Sequence, residues 1–79
     1  MTDERFMALV ANRIQEIRKN RELTQEDMQN FGFNYRYYQT IESGTANLTL
    51  KTLNRLSKAF QTPATEFLRF DVAGPRKSK

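Results

Sequence analysis

The side chains best suited to recognising another molecule by hydrogen bonding lie close together between residues 35 and 43. They are Arg36, Gln39, Thr40 and Ser43. At about 100° per residue these four share one side of a helix, while Tyr38 and Ile41 share the other, inward side. Arginine can fork onto guanine O6 and N7, glutamine onto adenine N6 and N7, and threonine can meet a thymine methyl. The outer side therefore suits base edges, although an ordinary solvated surface is the alternative.

Side chains that commonly catalyse reactions are scarce in this sequence. The chain has no cysteine and no histidine, which removes thiolate chemistry, sulfur-based zinc sites and the commonest general base. Its nine carboxylates are scattered, and no pair has a spacing that predicts a metal site or an acid–base dyad. We therefore expect no enzyme activity, no metal, no cofactor and no small-molecule ligand.

Charge is distributed unevenly along the 79 residues, whose formal net charge is +4. Residues 1–30 contain five basic and six acidic side chains, whereas residues 31–79 contain eight basic and three acidic ones. A basic second half suits a polyanion such as nucleic acid, although a soluble domain with some excess lysine and arginine has the same composition. No apolar run approaches the roughly 20 residues of a membrane span, and the N-terminus lacks a signal-peptide pattern. We expect a cytoplasmic protein without a membrane partner.

The elements that position these groups are predicted to be helices. Apolar residues recur at helical spacing along almost the whole chain, which indicates an all-α fold, a compact five-helix bundle. Residues 1–70 form the single predicted domain, and the basic tail 71–79 is expected to be disordered. The predicted helices cover about residues 3–20, 25–31, 35–43, 50–60 and a fifth that begins with Pro63.

Residues with strong capping preferences set the predicted helix ends. Thr24 and Asp27 suit a capping box, in which each side chain accepts a hydrogen bond from the other's backbone N–H. The remaining predicted caps are Asn34, Thr49 and Thr62 at helix starts, with Gly32 and Gly44 at helix ends. The apolar stripe of the first helix is predicted to be Phe6, Leu9, Val10, Ile14 and Ile17. The inner side of the fourth is predicted to be Leu50, Leu53, Leu56 and Phe60.

Two short predicted helices, 25–31 and 35–43, are joined by a tight turn that contains glycine, which is a helix-turn-helix arrangement. From Arg13 to Leu68 the sequence resembles the lambda-repressor-like, XRE-type helix-turn-helix family. The resemblance is carried by residues 13–18, 23–28, 38–44 and 47–53. It implies a compact bundle of four or five helices whose third helix reads the major groove of double-stranded DNA. It also implies a transcriptional regulator associated with a bacterial or phage nucleoid.

The resemblance implies roles for individual positions. The base-reading positions are Tyr35, Arg36 and Thr40, with Gln39 beside them. The phosphate-contacting positions are Gln25, Ser43 and Asn47, to which we add Tyr37. Tyr37 could instead pack on a sugar or a thymine methyl, or shield the core, and Gln25 could be a simple exposed residue. Arg18 and Glu42 match a buried or half-buried salt bridge, which is structural rather than catalytic.

The sequence departs from the family between Gln25 and Glu42, where it is one residue shorter than usual. The small alanine of the family's second helix is either deleted or replaced by Gln29. Since that alanine lets two helices approach closely, the end of the second helix or the turn must differ here. Phe31 and Phe33 flank Gly32 and are candidates to fill the altered corner.

A homodimer on a palindromic site is expected, because one short helix reads too few base pairs for useful specificity. The predicted dimer interface is Phe67, Leu68 and Phe70, although Phe67 and Leu68 could equally belong to the core of one chain. The alternative function is a protein-interaction module, antitoxin-like or otherwise partner-binding, that kept the fold with little DNA binding. Its partner surface would be the aromatic residues Phe31, Phe33, Tyr35, Tyr37 and Tyr38.

Overall fold

The computed structural model describes residues 1–70, whose regular elements are all helices, with no strand among them. Three α-helices form: α1 (Asp3–Asn20), α2 (Tyr35–Ser43) and α3 (Leu50–Phe60). Two 3₁₀ helices, Glu26–Phe31 and Ala64–Leu68, stand where the sequence predicts a second and a fifth α-helix. The all-α class is confirmed, but a bundle of five full helices is not. The predicted tail 71–79 lies outside the described residues.

Helix α1 is the longest element and begins as its sequence predicts. The Thr2 hydroxyl oxygen accepts a hydrogen bond from the backbone N–H of Arg5 at 3.1 Å, and acidic residues occupy the first turn. Basic residues in the last turn complement the negative end of the helix dipole. The predicted stripe is buried at Val10, Ile14 and Ile17, but Phe6 is 43% exposed. Phe6 lies too near the helix start to reach the core, and its ring packs edge-on against Phe70 at 5.8 Å.

The core draws buried side chains from all five helical elements. Burying this apolar surface is the main stabilising contribution for a domain of this size. Within residues 1–70 every buried side-chain nitrogen or oxygen has a hydrogen-bond partner. The largest fully buried side chains are Ile14, Met28, Tyr38, Ile41, Leu56, Phe60 and Phe67.

Helix α3 has the predicted bounds, but its inner side differs by one residue. Leu56 and Phe60 are buried and Leu53 is half-buried, whereas Leu50 is 84% exposed. Leu50 lies about 100° around the helix from the centre of the buried side, so its inclusion in the predicted set is wrong. Thr52 is buried instead, and its hydroxyl lies 3.1 Å from that of the capping Thr49.

The second 3₁₀ helix closes the fold against α1. The sequence predicts Thr62 as the cap of this helix, and that prediction is wrong. The Thr62 hydroxyl donates back to the Phe60 carbonyl at 2.9 Å, and Pro63 takes the cap position. Arg13 of α1 donates to the backbone carbonyl of Glu66 at 2.8 Å and to its carboxylate at 2.9 Å. These two bonds hold the segment that buries Phe67 against the core.

Candidate nucleic-acid interface

The first 3₁₀ helix leads into the candidate interface and begins with the predicted capping box. The Thr24 backbone N–H donates to the Asp27 carboxylate at 2.7 Å, and the Asp27 N–H donates to the Thr24 hydroxyl oxygen at 3.1 Å. The element ends at Gly32, whose φ of 90° is a left-handed conformation that glycine adopts without strain. The predicted Thr24–Asp27 hydrogen bonds and the stop at Gly32 are therefore confirmed. The helix starts one residue later than predicted, with Gln25 rather than Thr24 at the N-cap position, and it is of the tighter 3₁₀ kind.

The tighter helix lies where the sequence predicts a departure from the family. A 3₁₀ helix rises about 2.0 Å per residue and an α-helix about 1.5 Å, so six residues of the former span the length of about eight of the latter. The 3₁₀ geometry covers the whole of Glu26–Phe31 and is therefore compatible with a shorter second element. Gln29 is exposed, which favours deletion of the family's alanine over its replacement.

Helix α2 has the bounds that the sequence predicts, because both of its ends are set locally. The Asn34 side-chain oxygen accepts from the Tyr37 N–H at 2.9 Å, and Gly44 ends the helix with a φ of 83°. Tyr38 and Ile41 are buried, so this side of α2 packs on the core. The opposite side is turned away from the rest of the chain.

The outward side of α2 carries the predicted base-reading residues. Arg36 and Gln39 are exposed, while Tyr35 and Thr40 are half-buried. Among the described residues, the Arg36 guanidinium makes no ion pair and no hydrogen bond. The Gln39 amide donates to the Tyr35 hydroxyl at 3.3 Å, a long bond that an incoming ligand would readily replace. The Thr40 hydroxyl donates to the Tyr37 carbonyl at 2.6 Å, which leaves its acceptor lone pairs unused by that bond.

The predicted phosphate-contacting residues lie at both ends of this surface. Ser43, the last residue of α2, and Asn47, in the loop that follows, are exposed, and Tyr37 is exposed on the flank of the helix. The Ser43 hydroxyl donates to the Thr40 carbonyl at 2.9 Å and lies 2.8 Å from the Thr45 hydroxyl. Gln25 differs from the others, since its side-chain amide donates to the Glu42 carboxylate at 2.9 Å. One of its two N–H groups is therefore already used within the chain.

A buried ionic network fixes the position of α2. The Glu42 carboxylate accepts hydrogen bonds from Nε of Arg18 at 2.5 Å and from Nη2 at 3.0 Å. The side chain of Glu42 is only 2% exposed and that of Arg18 only 7%. The third guanidinium nitrogen donates to the Leu23 carbonyl at 2.6 Å. The Tyr38 hydroxyl and the Gln25 amide also donate to Glu42. The network thus joins α1, the start of the first 3₁₀ helix and α2 through a single carboxylate.

The network also sets the ionisation of its members. Burial alone would raise the pKa of Glu42, but hydrogen bonds from Arg18, Tyr38 and Gln25 outweigh it and the pKa is lowered. The hydrogen bond to Glu42 raises the pKa of Arg18 despite its burial. Burial, and then the bond to Glu42, raise the pKa of the Tyr38 hydroxyl. Arg18 and Glu42 therefore stay charged, and Tyr38 stays a donor, across the neutral pH range.

Sequence reasoning missed two members of this network and one nearby contact. Tyr38 and Glu42 lie four residues apart in α2, a spacing that brings side chains together on a helix. That spacing was the available signal for Tyr38. The amide of Gln25 had no such signal, since it depends on how two elements pack. The same holds for Arg55, whose guanidinium lies 4.2 Å from the centroid of the Phe33 ring.

The predicted dimer residues divide between core and surface. Phe67 is fully buried and packs edge-on against Phe60 at 6.1 Å, so its side chain is not available to a partner and belongs to the core. Leu68 is 50% exposed, whereas Phe70 is half-buried against Phe6. Leu68 lines a groove of about 320 Å³ with residues of α1, α3 and the loop between α2 and α3.

The aromatic residues near the turn do not form one exposed surface. Phe33 and Tyr38 are buried in the core, where their rings meet edge-on at 5.7 Å. Phe31 and Tyr37 remain exposed. The aromatic surface that would support a purely protein-binding role thus loses two of its five predicted members.

Comparison with known proteins agrees with this architecture. A helix-turn-helix family model matches residues 14–67, about two thirds of the chain, and this range contains both halves of the motif and the helix that follows it. No curated protein gives a significant match. Within residues 1–70, no helix is long and apolar enough to cross a membrane. The chain belongs to the lambda-repressor-like, XRE-type helix-turn-helix family.

Proposed function

We propose that this protein is a transcriptional regulator that binds double-stranded DNA in a sequence-specific manner, with α2 in the major groove. The single observation that carries the proposal is the outward side of α2, where exposed Arg36 and Gln39 are joined by Thr40 and no carboxylate is exposed among them. Membership of the family supports a DNA-binding regulatory role. The proposed function places the protein at the nucleoid.

Base edges are read by the first and middle turns of α2. Arg36 is suited to a bidentate contact with guanine, because its guanidinium is unpaired among the described residues and planar. Gln39 is suited to adenine, and Thr40 presents a methyl to thymine. Tyr35, at the helix start, stacks or bonds at the edge of the same site.

Phosphates on either side of the groove hold the protein in register. Ser43 and Asn47 contact one strand from the end of α2, and Tyr37 contacts the backbone from its flank. Gln25 contributes the N–H that Glu42 does not use, together with its side-chain oxygen. Such contacts set the position of α2 without distinguishing one sequence from another.

Specific binding requires two copies of the chain. One short helix reads about four base pairs, and two such helices about 34 Å apart read successive turns of the duplex on a palindromic site. We place the homodimer contact at Leu68, with Phe70 at its edge, because Leu68 is the exposed member of the predicted set and borders the 320 Å³ groove. A second copy would cover this apolar surface.

Selection of bound duplexes from a random pool tests the proposal directly. We expect a palindromic consensus whose half-sites are about 10 base pairs apart. Binding to the selected duplex should weaken with salt at a slope of about −0.9 per phosphate contacted. Failure to enrich any sequence, with affinity that is insensitive to salt, would exclude groove docking and favour a protein partner.

Arg36→Ala tests the assignment of the base-reading surface. It should cost about 1–3 kcal/mol on the selected duplex and relax the preference at one base pair. Arg5→Ala is the matched control, since Arg5 is exposed on α1 and its loss removes the same charge far from α2 in sequence. Equal losses on all duplexes would make Arg36 a phosphate contact instead.

A further inference from the structure

Arg55 links α3 to the turn of the helix-turn-helix. Its Nη2 donates a hydrogen bond to the backbone carbonyl of Gly32 at 2.9 Å. Its guanidinium also lies over the ring of Phe33, 4.2 Å from the centroid. A single side chain from the third α-helix thus contacts both residues that separate the first 3₁₀ helix from the capping Asn34.

The turn pairs its own backbone N–H groups but leaves one carbonyl for an external donor. The Gly32 N–H donates to the Gln29 carbonyl at 3.1 Å and the Phe33 N–H to the Met28 carbonyl at 3.2 Å, whereas among the described residues the Gly32 carbonyl accepts from no backbone N–H. Carbonyls at a helix end have no partner within the helix, and Arg55 supplies one for Gly32. The fit is close, since a Cβ added at Gly32 would lie 3.4 Å from Nη2 of Arg55.

The contact with Phe33 reaches α2 directly. Phe33 immediately precedes Asn34, the residue that caps α2, and its ring packs edge-on against Tyr38 at 5.7 Å. Asn34 sets where α2 begins, and fixing the Phe33 ring against Tyr38 helps to set how the helix is rotated about its axis. The far end of α2 is held separately, through Glu42 and Arg18. Two arginines from two different helices thus hold the two ends of α2.

We propose that Arg55 is a positioning residue for DNA recognition, which sets the placement of the N-terminal turn of α2 and so of Tyr35 and Arg36. The proposal rests on the function proposed above. Only arginine can stack a planar cation on a ring while donating a directed hydrogen bond from the same group. Lysine at this position would keep the charge but lose the paired contact.

The test compares Arg55→Lys and Arg55→Gln with the wild type. The readout is the ratio of affinities for the selected duplex and a scrambled duplex of the same composition. We expect both variants to lower this ratio about five- to tenfold, the effect of losing one cation–π contact and one hydrogen bond. Lys58→Gln is the matched control, because Lys58 is exposed one turn along α3 and its loss removes one charge. It should change the ratio less than about twofold.

A second readout examines the turn itself in the free protein. In Arg55→Lys, the backbone amide resonances of Gly32, Phe33 and Asn34 should shift, whereas in Lys58→Gln they should not. Thermal unfolding of each variant establishes that it is folded under the conditions of both measurements. These resonances report on the turn without any DNA, so they remain informative whatever the wild type binds.

The outcomes separate this inference from the proposed function. If the affinity ratio of Arg55→Lys equals that of the wild type, the positioning role is overturned. It is also overturned if the affinity lost in Arg55→Gln comes with a salt slope smaller by about 0.9, since that indicates a phosphate contact. If the wild type distinguishes no duplex, the proposed function fails, and the amide resonances decide alone. Shifts confined to the Arg55 variants then support positioning of the turn by Arg55 without a role in DNA recognition, and unshifted resonances overturn the positioning role as well.

Discussion

Replacing Arg18 with methionine should destabilise the fold more at neutral pH than in acid. The substitution keeps the volume of a long side chain but removes three hydrogen bonds, two to Glu42 and one to the Leu23 carbonyl. It leaves the Glu42 carboxylate, only 2% exposed, without a counter-ion. Stranding one partner of a buried pair costs about 3–5 kcal/mol. A domain of this length has a total stability of about 4–12 kcal/mol, so Arg18→Met should remove at least about a quarter of it.

The pH dependence distinguishes a stranded charge from simple loss of packing. In the wild type the lowered pKa of Glu42 contributes stability above its unfolded value of about 4.3, and this is lost as pH falls through the folded pKa. Without Arg18 the carboxylate loses the hydrogen bond that most lowers its pKa, so we expect burial to raise the pKa of Glu42. The penalty of Arg18→Met should therefore be greatest at pH 7 and shrink below about pH 4.

The double variant Arg18→Met with Glu42→Gln is the matched control. It removes both charges but keeps a side-chain oxygen to accept from Tyr38 and Gln25, so it should cost about 1–2 kcal/mol, less than Arg18→Met alone. Urea unfolding followed by circular dichroism at pH 3 and pH 7 measures all three proteins. Equal penalties for Arg18→Met at both pH values, or a double variant less stable than the single one, would refute the reasoning.

Three further predictions concern other parts of the fold. Tyr38→Phe removes a donor to a charged acceptor and should cost about 1.5–3 kcal/mol in urea unfolding at pH 7. Because the pKa of Tyr38 is raised, the wild type should also lose stability above about pH 10. The same loss of stability above about pH 10 in Tyr38→Phe would contradict this. Gly32→Ala should lower the free energy of unfolding by about 1–2 kcal/mol, because residue 32 has a left-handed backbone conformation. Urea unfolding measures the change, and an unchanged unfolding midpoint would contradict this reasoning. Leu68→Ser should weaken dimers in sedimentation about tenfold, whereas Leu50→Ser, at a more exposed leucine of α3, should not; equal effects would move the interface.

Helix ends were predictable from the sequence because they depend on neighbouring residues. Asn34 accepts from an N–H three residues ahead, and Gly44 adopts an angle that needs no partner, so α2 has its predicted bounds. The helical kind of residues 26–31 was not predictable in this way. Capping chemistry at Thr24 is the same for an α-helix and a 3₁₀ helix, so the local residues do not distinguish the two kinds.

Side-chain partners were predictable only where spacing or family likeness indicated them. A helical wheel places Tyr38 and Ile41 inward correctly, since both are central to their helix. Leu50 was grouped with the inward leucines although it lies about 100° around the helix from the centre of the buried side, so a stricter use of the wheel would have left it out. Contacts between distant elements, such as that of Arg55 with Gly32, depend on tertiary packing that no local pattern encodes.

The 3₁₀ helix at Glu26–Phe31 changes how length differences within this motif should be understood. Because a 3₁₀ helix rises further per residue, it covers a given length with fewer residues, while Thr24 still accepts from Asp27 and Gly32 still ends the segment. Successive residues turn by about 120° in a 3₁₀ helix and by about 100° in an α-helix. We therefore expect that aligning this segment with an α-helical one by a single gap would pair residues that face different directions.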